Sequence, residues 1–224
     1  MTQTCSHSTK LIVTAIIAIV IISALTAFAY HNSNASLRDA VQSGLKSTAS
    51  VMATQISAND LKGLKPGDEN TTQYLAVAAK LRAMRSMNDQ LLNAYIIKVN
   101  TTDMSASFLV DDLYPLDPSG SARIGQADTS PDKVQIFEAL SGPTASPVPY
   151  TDSWGSFMSA YAPIDDTTGN TYAILGLDVS ENDYVASTTH GAWIIVTGIV
   201  SIVIVLSALY IFGRKTDQES PKAP

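Results

Sequence analysis

The sequence predicts an α+β protein: a five-stranded antiparallel sheet with a long N-terminal helix, flanked by two transmembrane helices. Three observations predict it. Uncharged apolar runs stand at Leu11–Tyr30 and Ala192–Phe212, each matching the roughly 20 residues with which a helix crosses a bilayer. Apolar side chains at helical spacing follow the first run. Beyond them come five β-rich stretches joined mainly by hairpin turns, a pattern that builds an antiparallel sheet with helices on a face. The implied divisions are a cytoplasmic N-terminus (1–10), a first span (11–30), an external domain (31–191), a second span (192–212) and a cytoplasmic tail (213–224).

The elements follow in order. Ser36–Leu61 lacks Pro and spaces Val41, Leu45, Thr48 and Met52 by four, three and four residues. That stripe suits a coiled-coil seam or packing on the protein's own sheet, and one helix can do both. Lys65-Pro66-Gly67-Asp68 breaks the chain, and Thr71–Met87 resumes as a helix with Tyr74, Val77, Leu81 and Met84 on one face. Asn93–Asn100 and Ser105–Asp112 form a hairpin around Thr101–Met104. After an irregular loop, Tyr114–Ser130, Ser130 reads as the N-cap of a helix over Pro131–Leu140. Ser146–Trp154 is a strand whose prolines, Pro147 and Pro149, confine it to a sheet edge. Gly155–Ile164 and Thr171–Val179 complete the sheet, and Ser180-Glu181-Asn182-Asp183 opens a helix leading toward the second span.

Charge and cysteine narrow the partners. Residues 31–191 hold ten Lys and Arg against eighteen Asp and Glu, so the domain repels nucleic acid. Basic residues set the orientation: Lys10, Arg214, Lys215 and Lys222 outweigh Arg38 and Lys46, placing both termini in the cytoplasm and the domain outside. The first run also has a signal-peptide reading, with Ala27-Phe28-Ala29 as the cleavage site, although its length favours an anchor. Cys5, the only cysteine, precedes this run, so no disulfide staples the domain. The sequons at Asn34, Asn70 and Asn100 fall on the outer side, in a Ser/Thr-rich chain where such triplets arise by chance.

Catalytic chemistry is poorly provided for. His7, His31 and His190 all lie in or beside the membrane segments, which leaves the domain no imidazole as base or ligand. Ser-His-Asp and Cys-His arrangements are absent by composition, and no phosphate loop occurs. Neither a cofactor nor a metal is indicated. Asp111, Asp112 and Asp117 lack the spacing of a calcium loop and read as a solvated acidic turn. Asp178 reads as a strand-end carboxylate bonded to backbone, with a ligand role as the alternative. Asp152 can pair with a cation between apolar walls from Tyr95, Phe108, Tyr150, Trp154 and Tyr161; equally, the rings are core and Asp152 bonds its own turn.

Tyr150-Thr151-Asp152-Ser153-Trp154-Gly155, Ser159–Asp165, Gly169 and Gly176–Ser180 resemble the third-to-fifth strand signature of the Cache family. Val110-Asp111-Asp112 and Arg123-Ile124-Gly125 resemble its second strand and following loop. The resemblance covers about Ser36–Ser187 and implies an extracytoplasmic PAS-like sensor domain. It further implies a small ligand, an amine or amino acid, held between sheet and cover with Tyr150 and Asp152 facing it and Arg123 contributing from the loop. The Arg-x-Trp-Tyr run of amino-acid-binding members is not present beyond Arg123. A homodimer through the Ser36–Leu61 helix is implied as well. Gly213–Pro224 is too short for an output module, so a signal would pass to a separate membrane protein. The alternatives are a surface solute-binding or scaffold protein and a receptor remnant without its output domain.

Overall fold

The computed structural model describes residues 7–188 and 192–218. Cys5, His190, Gly191 and Lys222, used above, lie outside the described residues. The chain divides into two compact units, Met1–Leu37 with Thr188–Pro224, and Arg38–Ser187.

The first unit holds the apolar part of helix α1 (His7–Thr54) and helix α6 (Ala192–Gln218). Only 6% of either apolar window is buried, so neither is packed in a protein core, and both are long and apolar enough to cross a membrane. The two approach at Gly198, where an added Cβ would fall 2.5 Å from Thr26 Oγ1.

The second unit is the α+β domain. Its elements are α2 (Ala58–Leu61), α3 (Thr72–Arg85), β1 (Leu91–Asn100), β2 (Ser105–Asp111), α4 (Lys133–Glu138), β3 (Thr144–Ala145), β4 (Tyr150–Thr151), β5 (Ser156–Asp165), β6 (Thr171–Ser180) and α5 (Glu181–Thr188). All pairings are antiparallel in the order β2-β1-β6-β5-β3, with β4 also on β5. The expected third strand is thus two short pieces. Its interruption coincides with Pro147 and Pro149, which have no N–H to give the ladder. Six strands result rather than five, with the split pair at the edge.

Strand parity divides the core. Ala94 and Ile96 of β1, Met158, Ala160 and Ala162 of β5, and Leu175, Leu177 and Val179 of β6 pack with Leu45, Ala49, Met52, Tyr74, Val77 and Leu81 of α1 and α3. The stripe on α1 therefore lies on the protein's own sheet, with Ala49 rather than Thr48 among its buried members. Helix α1 stops at Thr54 rather than running to Leu61, and Ser57 caps the short α2 by accepting from Asn59 N. The opposite face carries Tyr95, Ile97, Phe108, Tyr161 and Ile174 under Ala122, Ile136 and Ala139 from the loop and α4.

Local signals act largely as read. Thr71 caps α3 by accepting from Tyr74 N, and Asp183 N donates to Ser180 Oγ at the start of α5. The β1–β2 turn holds Met104 at φ 53°, a left-handed residue in a tight hairpin. Helix α4 differs, because Asp132 rather than Ser130 occupies its N-cap, without a side-chain capping bond. Ser130 N instead donates to Asp128 Oδ1.

Candidate ligand site

The register of the three central strands builds the site. Asn93 on β1, Asp178 on β6 and Ser159 on β5 stand opposite one another, and Tyr95, Gly176 and Tyr161 form the adjacent row. Both rows project from the face away from α1 and α3. Gly176 is what lets them coexist: a Cβ there would lie 2.6 Å from Tyr95 Cζ, so the ring folds across the bare strand. Its hydroxyl then reaches Asp178 Oδ1 at 2.9 Å.

Asp178 also accepts from Ser159 Oγ at 2.6 Å and from Asn93 Nδ2 at 3.1 Å. Burial raises its carboxyl to about 6, against the lowering effect of these donors, and the charge of Asp152 pushes the same way. Asp178 is therefore bonded to side chains inside the sheet and not to backbone at a strand end. Behind it, Tyr150 Oη is 2.8 Å from Ser159 Oγ and 3.4 Å from Tyr161 Oη. Tyr161 Oη donates to Asp132 Oδ2, as does Ser146 Oγ. Burial raises the pKa of Tyr95, Tyr150 and Tyr161, so these phenols remain hydrogen-bond donors.

A cavity of about 190 Å³ opens over this lattice. Its floor is Asn93, Tyr95 and Asp178; Phe108 of β2, Tyr150, Trp154 and Phe157 supply rings; the end of β2 adds Asp111, and the loop after it adds Ser121, Ala122 and Asp128. Tyr95, Phe108 and Trp154 pack edge to face in series, at centroid distances of 5.4 and 5.5 Å. Asp152 sits in the turn between β4 and β5, where its Oδ1 accepts from Trp154 N and Gly155 N. Gly155 closes this turn at φ 148°. The carboxylate that fixes its turn also lines the cavity. Asp111 ties down the loop by accepting from Leu113 N and Ala122 N, each at 2.9 Å. Ser121 Oγ is buried there without a hydrogen-bond partner.

Five of the seven residues named from the sequence meet in this cavity: Tyr95, Phe108, Tyr150, Asp152 and Trp154. Tyr161 is fully buried behind it. Arg123 is elsewhere, exposed and lining a separate depression with Pro66, Glu69, Tyr114 and Gln126. Of the acidic turn's carboxylates, only Asp117 is solvent-exposed. Asp112 is fully buried and paired with Arg85 at 2.7 Å, while Asp111 faces the cavity. The sequence alone does not single out Asn93 or Asp128, and it offers a ligand role for Asp178 only as the second reading. For Asp178 the available signal was its parity with Gly176 inside an otherwise apolar strand.

No family model and no curated protein sequence matches the chain. Among solved structures it is similar to the ligand-binding domain of the Campylobacter jejuni chemoreceptor Tlp3 in complex with L-valine, at 14% identity and TM-score 0.45, over 81% of this chain and 66% of that one. It is similar to the sensor domain of Escherichia coli DcuS, at 16% identity and TM-score 0.45, over 68% of this chain and 97% of that one. It is also similar to the ligand-binding domain of the Pseudomonas aeruginosa amino acid chemoreceptor PctC in complex with GABA, at 16% identity and TM-score 0.44, over 74% and 66% of the two chains. The first and third of these are ligand-binding domains of chemoreceptors and the second is a sensor domain.

Proposed function

We propose that this chain is a membrane-anchored extracytoplasmic sensor that binds a small ligand in the cavity over Asp178 and passes a conformational signal to a separate membrane partner. The observation that carries this reading is the cavity itself. It combines a ring-lined wall with carboxylates fixed by backbone and side-chain donors, as a specific small-molecule site requires. In keeping with a binding role, no imidazole, thiol or lysine is among the described residues that line the cavity.

A signal has two routes out of the sheet. Asp178 lies two residues before the end of β6, which passes directly into α5. On the other side, Ser146 N donates to Ser159 O, and Gln42 Nε2 of α1 donates to Ser146 O at 3.0 Å. Ligand contact with Asp178, which Ser159 Oγ supports from beneath, is thereby coupled to both α1 and α5, the two helices by which the domain continues toward the apolar runs. A ligand biases them only as far as it binds their two arrangements unequally. Both termini in the cytoplasm and the domain outside complete the proposal.

A thermal-shift screen of the full chain in detergent against small amines, amino acids and carboxylates tests ligand binding. At least one compound should raise Tm, and Asp152→Ala should abolish the rise. Affinity capture from detergent should recover a membrane partner, and recovery of this chain alone would count against signalling.

A further inference from the structure

We infer that the ligand is an organic ammonium ion carrying no carboxylate, seated among Asp111, Asp128, Asp152 and Asp178 against the rings of Phe108 and Trp154. The inference rests on the ligand-site reading above and narrows it to one chemical class.

Charge balance carries it. Four carboxylates line one cavity of about 190 Å³, and no Lys, Arg or His is among the lining residues. Their hydrogen bonds come only from backbone N–H, hydroxyl and amide donors. Among the described residues, the recorded ion pair is Arg85–Asp112, which lies outside the cavity. The carboxylates also feel one another, because the charge of Asp152 raises the pKa of both Asp128 and Asp178. Partly buried, uncompensated charge of one sign is costly unless a counter-charge arrives.

The form of that counter-charge follows from the walls. Among the described residues, no three His, Cys, Asp or Glu side chains converge as a metal-ion ligand set, so the acidic charge is spread around the cavity. A molecule with its own extent meets it better than a point ion. Phe108, Trp154, Tyr95 and Tyr150 present ring surface that attracts an ammonium ion and its methylenes. Ser121 Oγ, buried and unpartnered at the wall, can accept one ammonium proton. Water takes ~30 Å³ in the liquid, so the volume suits about six non-hydrogen groups. A ligand carboxylate would find no cation to receive it. Arg123, which the resemblance expects at the ligand site, lines a different depression.

A matched four-carbon series tests this on the full chain in detergent, by titration calorimetry at pH 7.5: 1,4-diaminobutane, 1-aminobutane, 4-aminobutanoate and butanedioate. The two amines should bind, with 4-aminobutanoate at least tenfold weaker and butanedioate without measurable heat. Asp152→Asn keeps an oxygen for the Trp154 and Gly155 amides, so the turn survives, yet it should weaken the amines at least tenfold. If 4-aminobutanoate or butanedioate binds as tightly as the diamine and Trp154→Ala abolishes it, the cavity is the ligand site but the inference is overturned. Amine binding unchanged in both Asp152→Asn and Trp154→Ala would overturn the cavity reading as well. No binding by either amine overturns the inference, and the wider screen above then decides the ligand-site reading.

Discussion

Ser159 Oγ donates a 2.6 Å hydrogen bond to Asp178 Oδ1 across paired strands β5 and β6, beneath the floor of the cavity. With its proton committed there, Ser159 Oγ is the acceptor in its 2.8 Å contact with Tyr150 Oη. The carboxylate is thereby fed by a directed chain of hydroxyls, and its protonation state governs both the polarity of the cavity and the stability of the sheet.

Amine binding should weaken on acidification. Asp178 titrates at about 6, so at pH 5 only about one molecule in ten carries that charge. The affinity of 1,4-diaminobutane is expected to fall about tenfold between pH 7.5 and pH 5 by calorimetry. Asp178→Asn should bind weakly at both values with a flattened profile.

Unliganded stability should move the opposite way. A carboxyl whose folded pKa exceeds its unfolded value binds the proton more tightly when folded, so folding is favoured as pH falls. The penalty from Asp178 is fully present above pH 6 and gone below about 4, and is worth on the order of 2–3 kcal/mol. Asp111, Asp128 and Asp132, also raised by burial, act in the same direction. The apo protein should melt higher at pH 5 than at pH 7.5. Asp178→Asn should raise Tm at pH 7.5 and reduce this difference.

Gly176→Ala tests the close approach at the cavity floor. The new Cβ would collide with the Tyr95 ring, which must leave Asp178. Overpacking of this kind costs about 1–3 kcal/mol. A lowered Tm with loss of amine binding is expected, whereas a variant that binds normally would show the ring position to be dispensable.

The part-buried Arg85–Asp112 pair holds α3 to the end of β2, with Arg82 donating to Asp112 O at 2.8 Å beside it. Arg85→Ala removes the hydrogen-bonded cation from buried Asp112 and leaves only Arg82 nearby, a loss of about 1–3 kcal/mol. Denaturant melts should show that loss, and Asp112→Asn in the same background should recover part of it.

Topology has a direct test. In a Cys5→Ser background, a membrane-impermeant maleimide added to intact cells should label Thr102→Cys in the β1–β2 turn, and in the natural chain it should leave Cys5 unlabelled. The reverse pattern would place the domain inside the cell.

Much of the fold was legible. The two apolar runs, the Tyr74-Val77-Leu81 face of α3 and the Thr101–Met104 hairpin are local patterns that the structure keeps. The site was only partly so. Tyr95, Phe108, Tyr150, Asp152 and Trp154, which line the cavity, were legible because aromatic and turn residues announce themselves singly. Asp178 and Asp128 did not, since a lone carboxylate in a strand or loop looks alike whether it meets water, backbone or a cavity. Arg123 was misplaced for a related reason: a loop residue's direction depends on the hydrogen bonds that pin the loop, here from Asp111 to Ala122.

By itself the sequence determined two apolar helices around an α+β domain, its elements and its acidic balance, because periodicity, turns and charge act over a few residues. Only the tertiary structure decided which residues share the cavity. Asn93, Asp178 and Ser159 align through β-sheet register across 85 residues of chain, and Gly176 makes room for Tyr95 only once β1 lies against β6. Register is set by pairing between strands distant in sequence, so the ring-and-carboxylate lining exists only when the whole sheet has closed.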